Sequence, residues 1–303
     1  MADRKYGDRM SQQPAAMAAG FAANRGGGVP YLVLAHPTDE TAIAVASILR
    51  QRHGEFAVEL RSPEDLLCAP QWDHRVSATG VETEIRMSDG SFLAGNAPSV
   101  IFNRIGYVDP PQFQNAAPVD RDYARMEMFA LLLSWLTSPG CPVINRPAPN
   151  ALAGGVYRPP MWFRLAQISG LATVGLMATS STRRFPAHPT AARRPDLVSA
   201  GAHDMDGRSR PNDFAWFSEP IDADRASLLT VGGRVPEDAP AGLAEPCRRL
   251  AQLADTDILR IDFAASADSS SGWAFAGADS CPAVAEPGSL LRIVSLLETV
   301  AAS

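Results

Sequence analysis

Lys5 is the only lysine in a chain with 27 basic residues, so cationic chemistry falls to arginine. Arginine suits bidentate anions such as carboxylate and phosphate, whereas lysine is a compact point charge. The pairs Arg183–Arg184 and Arg193–Arg194 could touch phosphate, although solvated loop charge is the favoured reading. Cys68, Cys141, Cys247 and Cys281 lack CxxC or Cys/His ligand spacing. They read as small buried hydrophobes in a reducing compartment, not as a zinc centre or disulfide frame. His36, His188 and His203 stand alone, and structural or solvent roles are favoured over catalysis. Ser180-Ser181 has no Gly-x-Ser-x-Gly elbow to support a hydrolase triad. Gly26-Gly27-Gly28 precedes a strand candidate, the wrong order for a dinucleotide loop.

Composition sets wider bounds. A net charge of −6 does not mark the chain as a nucleic-acid binder. No apolar run is long enough to span a bilayer. The N-terminus has mixed charge and no apolar h-region, so the cytoplasm is the expected compartment. At 303 residues the chain can bury a large core.

The elements that would position chemistry read as alternating β and α. Residues 1–28 form an Ala/Gly-rich extension, with a transient helix over Pro14–Ala23 as an alternative to an unstructured tail. Tyr31–Ala35 reads as a buried strand. Thr38 or Asp39 can cap the following helix, whose apolar side is Ile43, Ala46, Ile48 and Leu49. Phe56–Leu60 and Ser99–Asn103 are further strands, and Ser62–Leu66 is a capped helical turn. Residues 79–93 form a hairpin turning at Asp89-Gly90. Asp120–Leu136 is a helix with Tyr123, Met126, Phe129, Ala130, Leu133 and Leu136 at helical spacing. Trp135 and Met126 read as core. Pro142–Asn145 starts a strand, and Met161–Ile168 is a helix stopped at Ser169-Gly170. Residues 182–213 lack apolar periodicity and read as an irregular insert. Order resumes with a segment at Phe214–Phe217, strands at Ser227–Val231, Ile258–Phe263 and Gly272–Phe275, and helices at Leu243–Leu253 and Ser289–Val300. The pattern predicts an α/β fold with a parallel sheet in its first half.

The order of several short segments resembles the ATP-grasp ligases, most closely the peptide- or amino-acid-modifying branch. They are Tyr123, Glu127, Trp135-Leu136, Pro142–Pro147 and Gly170–Val174, then Leu229–Val235, Leu250 to Phe263, and Trp273 to Pro282. The resemblance implies a flexible tail over 1–28, an N-terminal α/β lobe over 29–147, and a reduced nucleotide-lobe-like α+β region over 148–303. It implies cleft residues Asn145 and Arg146, metal-holding acids Asp262 and Asp279, and an adenine hinge ending at Glu219. Arg183, Arg184, Arg208 or Arg210 would take the place of the phosphate-binding lysines. The position expected to carry the family's glutamate is Gly277, and its asparagine is Asp279.

Such ligases activate a carboxylate as an acyl phosphate that an amine then attacks, which needs Mg²⁺ and basic side chains on the triphosphate. Without the lysines and with glycine for glutamate, the expectation is a non-catalytic ATP-grasp-like partner or scaffold subunit of a peptide- or metabolite-modifying enzyme. It would need no cofactor, and its partner would be another protein or a second copy. The alternative is an active ATP-dependent carboxylate–amine ligase using ATP, Mg²⁺ and arginine in place of lysine.

Overall fold

The computed structural model describes residues 30–78, 80–94, 98–155, 157–179, 215–218 and 224–303. The expectations for the tail, for Arg183, Arg184 and Glu219, and for the insert 182–213 fall outside these residues.

The first sheet is parallel, in the order β2-β1-β6-β7, with β1 at Tyr31–Leu34, β2 at Val58–Arg61, β6 at Val100–Asn103 and β7 at Val143–Ile144. Both β1 and β6 are buried along their whole length, as befits near-continuous apolar runs covered on two faces. Helix α1 (Glu40–His53) begins where Asp39 accepts the Ala42 N–H. It buries Ala42, Val45, Ala46 and Leu49, while Ile43 is exposed. Residues Glu55–Ala57 make a 3₁₀ turn with Phe56 in solvent, so β2 starts later than the apolar pattern indicates. Helix α2 (Pro63–Leu67) carries a full capping box between Ser62 and Asp65.

The hairpin is one part of a three-stranded antiparallel sheet. Strand β3 (Gln71–Ser77) pairs with β4 (Gly80–Arg86), which pairs with β5 (Phe92–Ala94). Sequence gave no sign of β3 because its residues Gln71, Asp73, Arg75 and Ser77 are polar and exposed. Helix α3 (Pro118–Thr137) buries Ala124, Leu132, Trp135 and Leu136. Tyr123 and Met126 are instead 66% and 69% exposed, so the core stripe is rotated away from the one the apolar spacing indicates.

Past helix α4 (Pro159–Ser169), which stops at left-handed Gly170, strand β8 (Leu176–Thr179) pairs antiparallel with β9 (Ala215–Ser218). The last sheet is antiparallel, in the order β10-β11-β12, from Arg225–Val231, Ile258–Ala265 and Trp273–Asp279. Its apolar face, with Leu228, Ile261, Phe263 and Phe275, packs on α4 and on helix α5 (Ala244–Leu253). The C-terminal helix α6 (Pro287–Ala301) packs instead with α1 on the parallel sheet, placing Ile293, Val294 and Leu297 beside Val45, Leu49 and Phe102.

Polar contacts hold this C-terminal return in place. Arg104, directly after β6, is almost fully buried. Its Nε donates to Asp39 Oδ2 at 2.7 Å and an Nη to the Pro282 carbonyl at 3.1 Å. Thr41 Oγ1 accepts the Val284 N–H at 2.8 Å and donates to the Val284 carbonyl at 3.3 Å. Among the described residues no helix is long and apolar enough to cross a membrane.

Removing one member of a buried ion pair costs about 3–5 kcal/mol because the other charge loses its counter-ion. Arg104→Met is expected to lower unfolding free energy in urea by about that amount, and Arg104→Lys to recover only part of it, since lysine lacks the planar fork. An unchanged denaturation midpoint for Arg104→Met would show that the clamp carries no net stability.

Candidate functional site

The polar face of the last sheet gathers the acids that the sequence singles out. Side chains alternate across β11, so Arg260 and Asp262 share one face while Ile261 and Phe263 are buried on the other. Cross-strand register then sets two rows. In one, Asp262 lies between Ser227 on β10 and Gly277 on β12; in the next, Arg260 lies opposite Asp279. The register shifts between Asp262 and Phe263, which leaves Ala276 as the extra residue of a bulge next to this row.

Hydrogen bonds and charge close the cluster on itself. Ser227 Oγ donates to Asp262 Oδ1 at 2.7 Å, and Arg260 Nε lies 3.3 Å from the same oxygen. An Nη of Arg260 lies 3.5 Å from Asp279 Oδ2, while Asp279 Oδ1 accepts the Cys281 N–H at 2.9 Å. Asp262 Oδ2 faces Gly277, where a Cβ would come within 3.9 Å of it. All three charged side chains are more than a third exposed, so the ion pairs are solvent-screened and fix geometry more than stability.

A hard divalent cation such as Mg²⁺ needs near-octahedral oxygen ligands at short range. Here the guanidinium of Arg260 already lies within ion-pair distance of both carboxylates, two of their oxygens accept protein donors, and Gly277 contributes no ligand. Among the described residues no cluster of three or more His, Cys, Asp or Glu side chains could hold a metal ion. This donor set does not fit an Mg²⁺ centre, and no chemical step is derived through one.

Asn145 and Arg146 follow β7 at the corner between the sheets. Asn145 is fully buried in a left-handed conformation at φ 61°, which Asn tolerates better than most residues. Its N–H donates to Asp257 Oδ2 at 3.1 Å and its carbonyl accepts from Asn103 Nδ2 and the Gly154 N–H. Its side-chain amide has no hydrogen-bond partner among the described residues. Arg146 is exposed. Burial raises the Asp257 carboxyl above the usual range, opposed by the Asn145 N–H and the nearby charge of Arg146. The structure thus brings Asp262 and Asp279 together through Arg260 and sets Asn145 and Arg146 at a separate corner with Asp257.

Sequence reasoning missed Arg260, Ser227 and Asp257. Arg260 was legible in principle, because it sits two residues before Asp262 on a strand and must share its face, whereas Ser227 reaches Asp262 only through the pairing of two strands.

Neither the family models nor the curated proteins contain a match to this chain. Solved structures do match. The macrocyclase MdnC of Microcystis aeruginosa, bound with its precursor peptide MdnA, is 13% identical, with 89% of this chain and 99% of that one aligned at a TM-score of 0.68. A RiPP-associated ATP-grasp ligase of Chryseobacterium gregarium, in complex with ADP and a leader and core peptide, is 13% identical over 89% and 96% of the two chains, at 0.65. The ATP-grasp ligase PsnB, complexed with minimal precursor, Mg and ADP, is 16% identical over 91% and 99%, at 0.64. At these identities the likeness shows the fold: the chain has the α/β architecture of the ATP-grasp ligases across most of its length.

A carboxyl with a raised folded pKa favours the neutral form, so its stabilising contribution is present below the unfolded pKa and is lost as pH rises through the folded one. Asp257→Asn keeps an oxygen for the Asn145 N–H and removes the titration. Its stability relative to wild type should therefore rise as pH increases above about 4, read from denaturant midpoints across a pH series. A variant whose stability relative to wild type falls or stays level as pH rises would contradict the assignment.

Proposed function

We propose that this ATP-grasp fold serves as a non-catalytic, peptide-recognising partner subunit of a peptide-modifying enzyme, without carboxylate activation by ATP and Mg²⁺. One observation carries the reading. Gly277 faces Asp262 where a metal-bridging carboxylate is expected, and the side chain of Arg260 takes up both remaining acids. Phosphoryl chemistry depends on charge placed before the reaction begins. One arginine between two aspartates leaves a net negative charge, which repels a triphosphate unless a cation is bound. Precursor-peptide complexes of MdnC, PsnB and the Chryseobacterium ligase support peptide recognition as the property that this chain retains. On this reading 29–147 and 148–303 are the two lobes that frame the cleft.

The competing reading is an active ligase in which ATP and Mg²⁺ bind and Arg183 or Arg184 replaces lysine. Its support is that Asp262 and Asp279 stand on neighbouring strands of one sheet face, and that PsnB is complexed with Mg and ADP.

Isothermal titration separates the two. Wild type is expected to give no binding heat with millimolar ATP and Mg²⁺. Heat that disappears in Asp262→Ala would overturn the proposal in favour of the ligase. As the converse arm, Gly277→Glu combined with Arg260→Gln should raise Mn²⁺ affinity, seen by paramagnetic resonance, by about tenfold or more, the scale on which metal sites respond to their supporting groups.

A further inference from the structure

Helix α3 carries a second apolar stripe that the core does not use. Val119, Tyr123 and Met126 are 72%, 66% and 69% exposed, and their i, i+4, i+7 spacing puts them on one face. Ala130, one turn further on, is also exposed. The buried stripe of Ala124, Leu132, Trp135 and Leu136 lies on the opposite side of the same helix. The first two turns, residues 118–123, are wholly exposed, so this end of the helix projects beyond the core. Three large apolar side chains in a row at such exposure mark an interaction surface, unlike the isolated exposed apolar residues common on any protein.

The surrounding charge selects the partner. At 100° per residue, Asp120 and Glu127 flank the stripe on one side and Asp122 on the other. Asp122 pairs with Arg125. Among the described residues Asp120 and Glu127 have no ion-pair partner, although both are exposed. Asp120 in the first turn complements the helix dipole, but Glu127 lies beyond the reach of that effect. The other arginine of this segment, Arg121, projects from the side opposite the stripe. A second copy docked antiparallel across Tyr123 would set Asp120 of each chain against Glu127 of the other, a like-charge contact that disfavours self-pairing.

We infer that this face of α3 is a docking site for a basic amphipathic helix of a partner protein, its apolar residues laid along Val119, Tyr123 and Met126 and its Lys or Arg residues against Asp120 and Glu127. The contact is helix against helix, with i, i+4, i+7 anchors and acidic residues beside them. This docking face is separate from the sheet cluster and serves whether or not that cluster binds nucleotide.

The test uses the full chain and two labelled synthetic helical peptides, one of Leu and Lys and one of Leu and Glu at the same positions, read by fluorescence anisotropy without ATP. The Lys peptide should bind and the Glu peptide should not. Tyr123→Ser with Met126→Ser should weaken binding by about tenfold or more, the scale set by interface anchors. Asp120→Asn with Glu127→Gln should flatten the salt dependence of binding. These are exposed positions whose substitution leaves folding intact, checked by circular dichroism. Equal binding by the Tyr123/Met126 variant, or equal binding of the Glu peptide, overturns the site. A wild-type dimer in sedimentation that Tyr123→Ser dissociates overturns the choice of partner and assigns the face to a second copy.

Discussion

The buried guanidinium of Arg104 is the constraint on which the rest of the architecture depends. It sits at the carboxyl end of β6, between the cap of α1 and the chain leaving β12, and it reaches Asp39 and the Pro282 carbonyl at once. Burying an arginine is unfavourable unless its donors are met in good geometry. Two of its nitrogens are met, by one carboxylate that already caps a helix and one carbonyl from the far end of the chain, while Nη1 has no hydrogen-bond partner among the described residues. The Thr41–Val284 pair of hydrogen bonds continues the same seam. Together they deliver α6 to the parallel sheet and fix where the segment after Asp279 runs. Asp279 therefore stands opposite Arg260 because of contacts made outside the sheet as well as within it.

On the polar face of the last sheet an arginine stands between two carboxylates, Asp262 and Asp279. Two exposed acids on adjacent strands repel each other unless a cation lies between them. Arg260 provides that cation from inside the chain. The guanidinium costs no binding equilibrium and is always charged, so the arrangement is self-sufficient in a way a metal-dependent one is not. Gly277 completes the picture by leaving open space on the remaining oxygen of Asp262. The same fold in PsnB is complexed with Mg and ADP. Fold alone does not decide activity.

Much of the scaffold was legible where local rules and tertiary packing agree. The run Tyr31–Leu34, the Asp39 cap, the Ser62/Asp65 box and the Gly170 stop each announce themselves through residues whose chemistry acts within a few positions. Strand β3 was illegible because its outward residues are polar and its pairing with β4 is the main thing holding it extended. Phe56 misled because an aromatic beside Val58 suggests strand, yet Gly54, at φ 95°, begins a 3₁₀ turn that leaves the ring in water. Arg104 and Asp257 were illegible for a different reason. Their partners Pro282 and Asn145 are far away in sequence, and no local pattern reports such a contact. Asp262 and Asp279 could be singled out, but the role of Arg260 emerged only with the register of three strands.

Helix α3 is the most instructive mismatch. Its apolar residues were read as one stripe, and periodicity cannot tell one broad stripe from two narrow ones on opposite sides. The structure separates them: Ala124, Leu132, Trp135 and Leu136 face the core, while Val119, Tyr123 and Met126 face outward. Trp135 holds the helix close to the hairpin sheet, where it meets Trp72 edge to face at 5.6 Å. Packing the helix by that side leaves the other side to solvent. Exposed Tyr and Met contribute nothing to the core and carry an aggregation liability, so a sequence that keeps both on one line, beside two acids without an ion-pair partner among the described residues, retains them for contact with something outside the chain. The apparent error in core assignment is thus the signature of a surface whose partner is another molecule.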